Sequence, residues 1–212
     1  MKRLFLALAL AGALQARADI SPTADAGLQA YCDKIAQVVE SGRLKPRFFV
    51  DVTNKKGAHW REFKDQGVLD AACKEAACYQ EAWAYYDQGR LILAAFTFGG
   101  AKADWANNVD YYFYPNGRVA KDHSELRRSG ALDPLHPELP AFLVEVDRAR
   151  YYDKQGKPLN VDPPQCFRVE GDTKQPIAGA KFAEGEWPRF KQVQDLPIAA
   201  FLRGPKAKPK AP

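Results

Sequence analysis

The chain has 212 residues, 46% of them apolar, with 15 glycines, 15 prolines and four cysteines; these values exclude a disordered, collagen-like or densely disulfide-stapled polypeptide. It carries 31 basic against 26 acidic residues, but Lys2, Arg3, Arg17, Arg203, Lys206, Lys208 and Lys210 all stand near its two ends. Without those seven the body has 24 cations against 26 anions, whereas a nucleic-acid-binding domain concentrates positive charge on its folded body, so no nucleic-acid partner is expected.

Met1-Lys2-Arg3 forms a short cationic start, Leu4 to Leu14 is unbroken apolar sequence, and Ala16-Arg17-Ala18 supplies small residues where a signal peptidase reads. The pattern predicts a secretory signal over residues 1–18, cleaved after Ala18. As a helix the apolar run would span about 16 Å, roughly half a bilayer core, which is too short for an anchor. No later apolar stretch is long enough to cross a membrane, so the expectation is an exported protein, periplasmic or secreted, without a membrane span. One domain is predicted over 19–202. Residues 203–212, a Pro/Lys/Ala tail with four cations, read as disordered, with at most weak contact to an anionic surface.

Within the domain, Ser21-Pro22 has the form of a helix start. Leu28, Tyr31, Cys32, Ile35, Val38 and Val39 follow at spacings of three and four, and Gly42 stands where a helix ends. From Arg47 onward the rhythm changes to short aromatic and β-branched runs, the signature of strands. These are Phe48–Val52, His59–Phe63, Tyr79–Tyr86, Leu91–Phe98, Val109–Tyr114, Arg118–Lys121, Phe142–Tyr152 and a last one around Cys166–Val169, with a helix over Val68–Ala77. Three turns share one form, in which aromatics lead into a polar turn ending in Gly89, Gly117 or Gly156 and a basic residue follows; this is a hairpin signal. Leu91–Phe98 is apolar on both faces and reads as a central strand covered on both sides. Pro158 to Pro188 reads as extended wrapping. The fold class is therefore α+β: a single twisted antiparallel sheet of about six to eight strands with the N-terminal amphipathic helix packed on it.

In an exported protein four cysteines most simply form two disulfides. The expected pairs are Cys73 with Cys78, and Cys32 with Cys166, the latter tying the first helix to the last strand. No CxxC and no nearby histidine supports zinc, and the Asp104–Asp110 segment lacks the pattern of a calcium loop, so no metal and no cofactor are expected.

No catalytic constellation stands out. Asp122-His123-Ser124-Glu125 contains a nucleophile, a base and two acids, but neighbours along a strand point opposite ways; the segment reads as a polar hairpin end. Along Phe142–Tyr152, the alternation of Glu145 and Asp147 with Arg148 and Arg150 predicts a strand that leaves the core and becomes solvated. The informative cluster is aromatic. Tyr79, Glu81, Trp83 and Tyr85 share one strand face, and Asp110 and Tyr112 repeat the mixture on another strand, which suits a cavity or groove for a small ligand. The leading expectation is a non-catalytic binding protein for a small ligand or an envelope protein, with these six as candidate ligand-binding residues. Alternatives are a cell-envelope hydrolase pairing Glu81 with Asp110, and a protein inhibitor or envelope assembly factor.

Overall fold

The computed structural model describes residues 26–53, 59–75, 80–99, 105–131, 141–177 and 188–202. The predicted signal, the Ser21-Pro22 helix start, the stretch Asn54–Gly57 between the first two predicted strands and the basic tail lie outside these. The chain runs through α1 (Ala26–Glu40), β1 (Arg47–Asp51), β2 (Trp60–Phe63), α2 (Gln66–Glu75), β3 (Gln80–Asp87), β4 (Arg90–Gly99), β5 (Trp105–Phe113), β6 (Val119–Ala131) and β7 (Phe142–Tyr152). It continues through β8 (Pro158–Val161), β9 (Gln165–Glu170), β10 (Thr173–Pro176), a 3₁₀ turn (Val193–Asp195) and α3 (Ala199–Leu202).

The strands form one antiparallel sheet in the order β10-β9-β7-β6-β5-β4-β3-β1-β2, with β8 added on β7. Among the described residues ten strands are formed, more than the six to eight expected. The excess comes from β8 and β10, in the Pro- and Gly-rich stretch read as wrapping: pairing partners supply what local propensity withholds. The β3–β4 hairpin shows the local logic. Asp87 pairs with Arg90, leaving Gln88 (φ 48°) and Gly89 (φ 76°) as a two-residue turn with both φ angles positive, which matches the right-handed strand twist.

Both faces of the sheet are covered. On one, Leu28, Cys32 and Ile35 of α1 pack on Leu93, Tyr112, Tyr114, Ala120, Ala149 and Tyr151. Complete burial of a Leu or Ile side chain contributes roughly 1.5–3 kcal/mol. Two hydrogen bonds fix the helix: Tyr31 Oη donates to the Phe113 carbonyl (2.7 Å) and Tyr151 Oη to Gln29 Oε1 (2.7 Å). On the other face Phe49, Ala82, Ala84, Phe96, Phe98, Val109, Tyr111 and Phe113 form the main core. The C-terminal segment 188–202 straps it through Phe190, Val193, Leu196, Ile198 and Phe201. Opposite Tyr85 and Tyr86 the register shifts, leaving Ile92 as an extra residue of β4, and strict alternation, which would put Leu91 on the face of Leu93, is broken. Leu91 joins Ala94, Phe96 and Phe98, while Ile92 and Leu93 turn to the α1 side, because the extra residue slips the alternation by one.

Three expectations are corrected. Cys32 and Cys166 form no disulfide: Cys32 packs under α1, whereas Cys166 packs with Leu126, Val144 and Val146 in a separate cluster. Burial pushes the Cys32 thiol up to about 12. Cys73 is disulfide-bonded, and its predicted partner Cys78 lies outside the described residues. The segment read as a hairpin end is instead the middle of β6, which runs to Ala131. The end of β7 does not become solvated: Arg150 is 5% exposed and Tyr151 3%, Arg150 Nε reaching Asp122 at 2.8 Å. Glu145 is also fully buried, paired with Arg127 Nε at 2.8 Å and with the Lys174 ammonium.

Candidate functional site

On the face that carries α1, β4 presents Leu93, Ala95 and Thr97 as a floor. Opposite these on β3 stand Tyr85, Trp83 and Glu81, and opposite them on β5 stand Tyr112, Asp110 and Asn108. Residues directly across a ladder share a face, so five of the six predicted binding residues stand on one face of the sheet, on the two strands that flank β4; Tyr79 lies outside the described residues. The two flanking strands are two strand spacings apart, about 10 Å between backbones. One end of this face is covered, where Leu93 and Tyr112 are buried under α1 (4% and 7% exposed). At the other end Trp83, Ala95, Thr97, Glu81 and Asp110 remain partly exposed.

The Trp83 ring is held from α2, since its Nε1–H donates to Gln66 Oε1 at 3.1 Å. Asp65 starts that helix locally, Oδ1 accepting from the Val68 N–H at 3.0 Å as an N-cap carboxylate does. Glu81 and Asp110 do share the face, but they sit two strands and two residues apart, about 12 Å between Cα atoms from sheet spacing. The direct neighbour of Asp110 is His123 on β6.

Sequence reading missed His123, because its role depends on a cross-strand partner 24 residues away. His123 Nε2 lies 2.5 Å from Asp147 Oδ1, and the ligand atoms of His123, Glu125 and Asp147 all fall within 4.8 Å of one another. One imidazole nitrogen and two carboxylates make a donor set that divalent cations accept. With Glu81 and Asp110, the open end of the face carries four carboxylates. Lys121 is turned towards the covered end, its ammonium 5.5 Å from the ring centroids of both Tyr112 and Tyr151.

Burial first, and then the charge of Glu125, raise the Asp110 carboxyl to about 6 against the opposing pull of His123 and Lys121. Burial alone would lower the His123 imidazole, but its hydrogen bond to Asp147 and the charges of Asp147 and Asp110 carry it above its ordinary value. Both groups therefore bind their protons more tightly in the native chain than in the unfolded one. The Asp110 contribution to stability is present at low pH and lost as pH rises from about 4, the ordinary aspartate range, to about 6; that of His123 is lost above its usual value near 6.5. Asp110→Asn should accordingly match the parent chain in urea midpoint near pH 4 and exceed it at pH 7.5. A difference that does not vary with pH would show that Asp110 is not the titrating group.

No protein-family model, no curated protein and no solved structure matches this chain.

Proposed function

We propose that this chain is an exported binding protein that takes a small cationic ligand on the face of β3, β4 and β5 beside α1. The Met1–Ala18 pattern supports export. The observation that carries the ligand class is the juxtaposition across Ala95 of the Trp83 ring on one flanking strand and the Asp110 carboxylate on the other. An aromatic face and a carboxylate on strands whose backbones are about 10 Å apart can bracket an ammonium group, the first through its quadrupole and the second through charge. A small alanine floor leaves room between them. Above pH 6 Asp110 is ionised, and Glu81, Glu125 and Asp147 deepen the negative field at the open end.

Phenethylamine, titrated against the full chain at pH 7.5 and followed by calorimetry, tests this reading. N-acetylphenethylamine serves as the uncharged control. Saturable binding of the amine alone is expected, with Trp83→Ala and Asp110→Asn each weakening it about tenfold or more, and with affinity rising as pH passes through about 6. Equal binding of the two compounds, or variants that bind as the parent does, would remove the cation from the site.

A further inference from the structure

A second concavity lies on the opposite face of the sheet, between the β7–β8 hairpin and the C-terminal strap. It encloses about 330 Å³ and is lined by Val119, Arg150, Tyr152, Gly156, Pro158, Arg189, Phe190 and Lys191. That volume is at the small end of organic-ligand sites and holds roughly ten water-sized groups. Its position is rigidly set. The strap is pinned on both sides of Arg189 by Tyr111 Oη donating to the Pro188 carbonyl (2.6 Å) and by the Val119 N–H donating to the Lys191 carbonyl (3.0 Å). Gly156 forms part of the wall with φ +84°, and a Cβ there would stand 3.1 Å from Arg118 Nη1, so a side chain at this turn would meet that guanidinium.

The chemistry of the lining is one-sided. Val119, Pro158, Phe190 and the Tyr152 ring are apolar, and the charged members are all cations: Arg150, Arg189 and Lys191. Arg150 is 5% exposed. Its counter-ion Asp122 is fully buried, accepting from Arg150 Nε and Tyr152 Oη at 2.8 Å each, so this carboxylate is committed behind the wall rather than offered to the cavity. Arg189 and Lys191 are exposed at the strap, and no salt bridge among the described residues neutralises either. The positive field of Arg189 extends to the Tyr152 hydroxyl. Arg189 and Lys191 thus present two cationic donors at the mouth of an otherwise largely apolar cavity, and an anion there would gain charge-assisted hydrogen bonds from them.

We propose that the cavity between the strap and the β7–β8 hairpin binds a small organic carboxylate, its apolar body against Val119, Pro158 and Phe190 and its carboxylate at Arg189 and Lys191. The site is independent of the one beside α1 on the other face and stands or falls without it. Octanoate, with about ten non-hydrogen atoms, matches the volume. Titrated calorimetrically into the full chain, it should bind saturably, whereas octanamide, of equal size and no charge, should bind at least tenfold more weakly.

Arg189→Gln and Lys191→Gln should each weaken octanoate about tenfold, the scale of one lost charge-assisted contact. Both residues are exposed, so neither change should move the urea midpoint, which keeps the binding readout separate from folding. Absence of saturation, equal affinity for octanamide, or octanoate binding unchanged in both variants would each overturn the proposal. The last outcome would place the ligand elsewhere, for instance in the 230 Å³ cleft beside Tyr31 and Ile35 of α1.

Discussion

Asp122→Ala is expected to destabilise the chain by about 3–5 kcal/mol, the cost of leaving a buried charge without its counter-ion. Asp122 is fully buried and takes hydrogen bonds from Arg150 Nε and Tyr152 Oη, while Arg150 is itself nearly inaccessible to water. The aspartate sits in the centre of β6, opposite Tyr111 on β5 and Arg150 on β7, so three strands lose a common anchor. Urea denaturation measures the loss. The decisive comparison is with Asp122→Leu combined with Arg150→Met: removing both charges should recover a substantial part of the stability lost by Asp122→Ala, since an apolar pair of similar volume replaces a buried ion pair at little cost. If the double variant is no more stable than the single one, the penalty arises from packing rather than from the orphaned guanidinium.

Phe96→Ala should cost about 3–5 kcal/mol through lost burial and the cavity left behind. Phe96 is 1% exposed in the middle of β4, and its ring meets Trp60 and Tyr111 edge-on, stacks on Phe98 and touches Phe190 of the strap. It therefore joins the sheet to the segment that covers it. Phe96→Leu, which refills most of the volume, should cost well under half as much. Beyond the global loss, amide exchange should reveal a local one: protons of residues 190–202 should exchange faster in Phe96→Ala than those of α1, which packs on the other face. Equal acceleration of both would mean that the strap and the helix unfold as one unit with the sheet.

Much of the fold was legible along the chain because strands and helices announce themselves through local periodicity. The three-and-four spacing of Leu28, Cys32 and Ile35 predicts α1, and all three are its buried residues. Phe142–Tyr152 is a strand over the same bounds as β7, and Leu91–Phe98 is the doubly covered strand its two apolar faces imply. The misses have a common cause. The strand predicted around Cys166–Val169 is β9, but the Pro- and Gly-containing residues on either side of it become β8 and β10 through ladders to β7 and β9, which no local pattern encodes. Arg148, Arg150 and Glu145 suggest solvation, yet Glu145 and Arg150 are buried, because counter-ions brought by β6 and β10 satisfy them.

The candidate sites divide in the same way. Alternation alone places Glu81, Trp83 and Tyr85 on one face, and Asp110 with Tyr112 on another strand of like character. That those two strands flank β4, with Ala95 as the floor between them, is a matter of sheet order and register, properties of strand pairing rather than of any one strand. His123 joins Asp110 and Asp147 only once β5, β6 and β7 are side by side. The cationic cavity is further still from the sequence, since Arg150 and Arg189 are brought together by the strap folding back over the sheet. Sequence by itself determined the element types, the amphipathic faces and the aromatic stripe, all set by interactions within a few residues. Tertiary structure alone decided which charges are buried in pairs, which thiols stay apart and which side chains face each other across a cavity, because each depends on a contact between segments that are distant along the chain.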